Sequence, residues 1–300
     1  MKHAYAALKS DDFPLTRSML EAAIALNPED VDANQLLGTI LVKLREFKQG
    51  SVYLLYAVEL TKWKDPHMVA NYIESLRAGG DLETARAVVV KAAYDLFPRH
   101  NTILYNSGLV ARDLRDFATA AQLLRQTTEV DPTYYSAWDE GIEVMMMNAD
   151  YKGADDLAMR ACRQYPNHYR LTFLWGVTKH HQNKLDEAIE LYKQALTMTP
   201  GVDGHYTVWS VMGAAYQGLG MTDEAEASYQ KCMPFKEGDV GIRNNYGALL
   251  GSMNRKEEEV QWLKEALKID PNMEMALTNL GGYYQDEGTG HGGWGGWLRM

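Results

Sequence analysis

The chain has 300 residues, 46% of them hydrophobic and 23% charged, with 30 basic against 40 acidic side chains and a net charge of −10. That balance suits a soluble polypeptide with ample apolar surface to bury, and it argues against phosphate backbones as the general partner. No stretch approaches the ~18 consecutive apolar residues of a membrane span. Met1-Lys2-His3-Ala4-Tyr5 runs straight into patterned sequence without a signal-peptide core. The expected location is therefore cytoplasmic or nuclear, with neither nucleic acid nor membrane as partner.

In chain order, residues 1–30 read as a shortened first helix and a second helix that ends at Leu26-Asn27-Pro28. Beyond them the pattern repeats. Pro98, Pro132, Pro166 and Pro200 are spaced by 34 residues, each closing a helical stretch that begins afresh just after it. A glycine recurs at Gly38, Gly108, Gly141, Gly176, Gly213, Gly247 and Gly281, followed by a small residue at Ala120, Ala154, Ala188 and Ala225. A fixed period in this range means one supersecondary unit per repeat, stable only when stacked on its neighbours.

Counted from Tyr206 as position 1, Trp209, Met212, Gly213, Tyr216, Gly220, Ala225, Tyr229 and Cys232 fall at positions 4, 7, 8, 11, 15, 20, 24 and 27. This spacing resembles the tetratricopeptide repeat. Small residues are needed where two helices cross closely, and large ones fill the seam between them. The resemblance implies an all-α, right-handed solenoid of antiparallel helix pairs. Its register places full repeats at 31–64, 66–100, 101–134, 135–168, 169–202, 206–239 and 240–273, then a first helix over 274–288 and a Gly/Trp tail over 289–300 without regular structure. Three units depart from the pattern: Gly141 comes one place early, Ile73 replaces a glycine, and Glu259 replaces an alanine. Asp65 and Asp203 to His205 are insertions expected in loops between units.

No second helix follows Leu277, Leu280 and Tyr284. Either Trp294 and Trp297 fold back over them or the chain is a fragment of a longer array, and an uncapped end would favour self-association.

Catalytic chemistry finds little support. Gly288-Thr289-Gly290-His291-Gly292-Gly293 matches a dinucleotide-binding pattern by letter but has no strand before it and no helix after it. His180-His181 lacks the i,i+4 spacing by which two histidines on a helix share a metal, and reads as a solvated helix end. The acid pairs Asp155-Asp156, Asp223-Glu224 and Glu257-Glu258-Glu259 lie near the starts of second helices, where they complement the helix dipole. Of Met145-Met146-Met147 at least one faces the core. Cys162 and Cys232 read as small buried hydrophobes. No cofactor, no metal and no enzymatic turnover are expected of this chain.

What remains is the groove. In the family the first helices line it, with ligand contacts at positions 2, 5, 6, 9 and 12. The lysine and asparagine clamp of the members that bind chaperone tails is absent, and Glu74, Asp139, Glu140 and Glu143 would repel an acidic tail. Position 6 carries Asn71, Asn106, Asn245 and Asn279. That row resembles the repeat half of the protein O-linked N-acetylglucosamine transferases, where such amides hold the backbone of an extended peptide. An amide both donates and accepts, matching a peptide bond whatever its side chain. The same asparagines could instead bond to the neighbouring helix.

The candidate contacts are thus Asn71, Asn106, Asn245 and Asn279, with Glu74, Tyr105, Asp139 and Glu143 beside them. The partner class is a protein or peptide. Two functions follow: a non-catalytic interaction scaffold, or the substrate-selecting arm of a larger glycosyltransferase.

Overall fold

The computed structural model describes residues 10, 12–198, 205–233 and 239–286, and among these it contains sixteen helices and no strand. The chain forms two compact units, Met1–Leu157 and Ala158–Met300. The first contains α1 (Phe13–Leu26), α2 (Val31–Lys43), α3 (Phe47–Leu60), α4 (Pro66–Ala78), α5 (Leu82–Val89, continued by a π-helical stretch Val90–Leu96), α6 (Asn101–Asp113), α7 (Phe117–Val130) and α8 (Tyr135–Met147). Helix α9 (Tyr151–Gln164) starts in the first unit and ends in the second. The second unit holds α10 (Tyr169–His181), α11 (Leu185–Met198), α12 (His205–Gly218), α13 (Thr222–Cys232), α14 (Val240–Ser252), α15 (Lys256–Ile269) and α16 (Glu274–Asp286).

Two local devices recur among the hairpins. An aspartate accepts backbone N–H bonds at the start of a helix, as Asp12, Asp30, Asp65, Asp81, Asp116, Asp150 and Asp239 do. The first helix ends in a single left-handed residue: Arg45, Gly80, Arg115, Ala149, Asn183, Gly220 or Asn254. The amide after it then bonds back to the carbonyl five residues earlier, Glu46 to Leu41 and Asp116 to Ala111 being two instances. Only two of these seven residues are glycine, so five turns carry a side chain where glycine would be unstrained.

The seam between the two helices of a pair rests on a hole and a knob 16 residues apart. A Cβ added at Gly38, Gly108 or Gly141 would lie 2.6, 2.8 or 2.9 Å from Leu54, Leu124 or Leu157. At Gly176, Gly213 and Gly247 it would lie 2.5, 2.7 and 3.2 Å from Tyr192, Tyr229 and Leu263. These knobs are fully buried, each contributing about 1.5–3 kcal/mol of apolar transfer. The early glycine at Gly141 is explained at once, since its knob Leu157 comes early too.

The other two departures are compensated across the seam. Ile73 is buried at the place of the hole, and Val89, 16 residues on at the place of the knob, is a smaller side chain in the same core cluster. Glu259 meets Gly251, where an added Cβ would sit 2.5 Å from the carboxylate. The repeat at 66–100 is also one residue longer than its neighbours. Its surplus residue is taken up by the π-helical stretch, a local widening that leaves Val90, Tyr94 and Leu96 exposed while Ala92 and Ala93 stay in the core.

Several sequence expectations are refined here. Asp65 lies between helices as their cap, whereas His205 is the first residue of α12. His180 is not a solvated end: its ring is half-buried and its Nδ1 lies 3.4 Å from the Tyr192 hydroxyl. Met145 is in the core and Met147 is exposed. Cys162 is half-buried and Cys232 buried, and burial pushes the Cys232 thiol up to about 12. Leu280 is buried with Leu263, Ala266 and Ala276, and Tyr284 packs on that cluster. Pro200, Asp203 and the tail with Trp294, Trp297 and Gly288 to Gly293 lie outside the described residues.

Candidate functional site: the face of the first helices

Consecutive first helices pack on one another within each unit, α2 on α4 and α4 on α6 in the first, α10 on α12, α12 on α14 and α14 on α16 in the second. In the first unit this face carries an ionic ladder. Arg77 on α4 forks onto Glu74 through Nε and Nη2, at 2.9 and 2.8 Å, and reaches Asp113 of α6 through Nη1 at 2.9 Å. Arg112 of α6 binds the other oxygen of Asp113 at 3.0 and 2.9 Å, and its Nη1 bonds to Glu140 of α8. The hydrogen bonds to Glu74 hold the Arg77 guanidinium protonated more firmly than usual. For Arg112 burial alone would lower the pKa, and the bonds to Asp113 and Glu140 outweigh it. Charge-assisted bonds of this kind are the strong ones, and here they join three consecutive repeats.

Beside the ladder Tyr105 and Tyr134 place their rings 4.9 Å apart, with Ser136 bonded to Tyr105. Burial pushes both phenols up. Of the acids marked in the sequence, Glu74 on α4 and Glu140 on α8 are thus matched by arginines. Asp139 and Glu143 are half-buried on α8, and neither is a free carboxylate.

The four asparagines do not form one uniform row. Asn106 is only 8% exposed, and its Nδ2 donates to the Ala70 carbonyl of α4 at 2.9 Å. Its donor is therefore used between repeats. Asn71 is half-buried with no hydrogen-bond partner among the described residues. In the second unit Asn279 Nδ2 of α16 donates to Asn244 Oδ1 of α14 at 3.0 Å, and Asn244 Nδ2 donates to Asn245 Oδ1 at 3.3 Å. Asn244 is the residue that sequence reasoning passed over. It stands at position 5, fully buried, and relays one asparagine to the other.

Among the described residues this relay leaves a donor, Asn245 Nδ2, and an acceptor, Asn279 Oδ1, unspent. Around it the groove positions of α12, α14 and α16 are uncharged, including Ser210, Ala214, Ala248 and Gly282. A Cβ at Gly282 would meet nothing within 4 Å. Such a surface is uncharged, little obstructed by side chains at Gly282, and presents neutral hydrogen-bonding groups. Among the described residues there is no group of three or more metal-binding side chains, and no helix is long and apolar enough to cross a membrane.

Profiles described as tetratricopeptide repeat match residues 73–134 and 148–203, and residues 206–233 and 240–273. The human protein O-mannosyl-transferase TMTC2 is 30% identical over 96 residues, which is 32% of this chain and 12% of that protein. Its mouse counterpart is 30% identical over 81 residues, 27% of this chain and 10% of that protein. The chain thus matches only about an eighth of the length of these relatives or less.

Solved structures agree in fold. The C-terminal part of a TPR repeat-containing protein from Cytophaga hutchinsonii aligns with a TM-score of 0.61 at 14% identity, covering 81% of this chain and 98% of that one. A tetratricopeptide repeat protein from Parabacteroides merdae gives 0.61 at 15%, covering 83% and 97%. The APC/C hetero-tetramer Cut9-Hcn1 gives 0.57 at 15%, covering 90% and 52%.

Proposed function

The chain belongs to the tetratricopeptide repeat family, and from that premise we propose that it is a non-catalytic scaffold that binds an extended peptide or protein segment along its first helices. The observation that carries this reading is the amide relay of Asn245, Asn244 and Asn279, with one donor and one acceptor unspent beside an uncharged, small-residue surface. Each hydrogen bond to a ligand backbone adds ~0.5–1.5 kcal/mol net, so the pair is worth roughly one order of magnitude in affinity. In the first unit the amide of Asn106 serves stacking, and the ligand contact there falls to Asn71, Tyr105 and the rims of the ladder.

The test uses a random 15-mer peptide display library selected on the chain. Selected peptides should bind Asn245→Ala plus Asn279→Ala about tenfold more weakly, nearly independently of salt, with helical content intact. Unchanged affinity in that variant together with steep salt dependence would discard the amide mechanism in favour of an electrostatic one.

A second reading is favoured by the stretch of similarity to protein O-mannosyl-transferases: the repeats select substrate for a glycosyltransferase. It requires that selected peptides become glycosylated when incubated with the longest protein the gene encodes. Binding without modification would return the chain to the scaffold reading.

A further inference from the structure

Two histidines outside the groove chemistry meet where α4 and α6 begin. His67 is the second residue of α4 and exposed, and His100 precedes α6 as its cap without a capping bond. Their rings stand edge to face, 5.3 Å between centroids and 83° between planes, and Phe97 covers His100 from another side at 6.5 Å. The Nδ1 of His100 is buried with no hydrogen-bond partner.

We propose that this contact is a proton-sensitive joint: neutral, the two imidazoles seat the start of α6 on α4, and protonated they push the two helix ends apart.

The surroundings set the sign. His100 stands at the N-terminus of α6, whose partial positive charge disfavours a cation beside it. The carboxylate facing them from α4 is Asp65, which already accepts the His67 and Met68 amides at 2.8 and 3.2 Å. Asp131 at the end of α7 is held by Asn101 Nδ2 at 2.6 Å, and Arg99 lies next to His100 in the chain. Burial and the neighbouring His67 lower the pKa of His100, and Asp65 only partly opposes them. A folded pKa below the ordinary one near 6.5 means that the contact is whole above that pH. It weakens as pH falls through the ordinary value toward the lowered one.

The geometry also says where the motion goes. At their other ends the same helices are pinned by Arg77 and Asp113, and near the middle by Asn106 on the Ala70 carbonyl. Loss of the histidine contact therefore opens the pair from its N-terminal end about these two ties. Tyr105, one turn into α6, moves with it, so acidification reshapes the face that Tyr105 and Tyr134 share.

The experiment is hydrogen exchange of the whole chain at pH 5.5 and 7.5, corrected for the intrinsic rate, with residues 240–250 as internal reference. In the unaltered protein, protection over 65–72 and 97–106 should fall roughly fivefold on acidification relative to the reference. His67→Gln, which changes an exposed side chain and so leaves the fold in place, should reduce that fall to within about twofold. His100→Gln should do the same. An equal fall in His67→Gln, or no fall in the unaltered protein, would overturn the joint.

Discussion

The first helices of the two units face their surroundings with opposite chemistry on the same scaffold. In α4, α6 and α8 the groove positions carry Glu74, Arg77, Arg112, Asp139, Glu140 and Glu143, and the arginines join one repeat to the next. In α12, α14 and α16 those positions carry no charge; α14 and α16 are joined there by amides instead, and the ionic tie of Arg255 to Glu226 lies off the first helices, between the start of α15 and α13. The seam beneath differs in parallel. Leucine knobs fill the glycine holes of the first unit, and Tyr192 and Tyr229 fill two in the second. One repeat geometry therefore accepts either ionic or neutral ties between neighbouring first helices, and the chemistry of their exposed face changes accordingly.

The largest difference between the units is expected at the seam. Gly213→Ala would drive a Cβ into the flat, fully buried ring of Tyr229, 2.7–2.9 Å away, and should cost about 2–3 kcal/mol in denaturant unfolding. Gly108→Ala meets the more yielding branch of Leu124 and should cost about 1–2 kcal/mol. Equal losses at the two sites would show that knob shape is irrelevant.

The ties between repeats come next. Arg112→Met leaves Asp113 and Glu140 short of a partner and should destabilise by about 1–2 kcal/mol in low salt, less in 1 M salt. Asn244→Ala, at the amide tie between α14 and α16, should cost about 1 kcal/mol irrespective of salt, read from the same unfolding curves. A salt response in Asn244→Ala as large as that in Arg112→Met would erase the distinction between the units.

The smallest effect sharpens what the units share. Ala149 holds a left-handed backbone at φ 55° to close its hairpin, and Ala149→Gly should raise stability by about 0.5 kcal/mol, seen as a small rise in Tm. Destabilisation there would mean that the turn is held by something other than its own backbone.

Much of this architecture was legible in the residues. The period, the small positions at Gly213 and Ala225 and the seam residues Met212, Tyr216 and Tyr229 follow from local pattern, because helix pairing recurs at constant spacing and every unit repeats the same signal. The compensations at Ile73 with Val89 and at Glu259 with Gly251 were not, since each joins places that only the packed seam brings together. The asparagines make the same point at the candidate site. Position 6 names Asn71, Asn106, Asn245 and Asn279 as equivalent, yet only the stacking of one repeat on the next decides that Asn106 spends its donor on Ala70 while Asn279 reaches Asn244. By itself the sequence determined the helices and their pairing, because those depend on neighbours close along the chain. Which polar groups are used up inside the stack and which stay available to a ligand was decided by tertiary structure alone, because hydrogen bonds between repeats join residues some 35 positions apart.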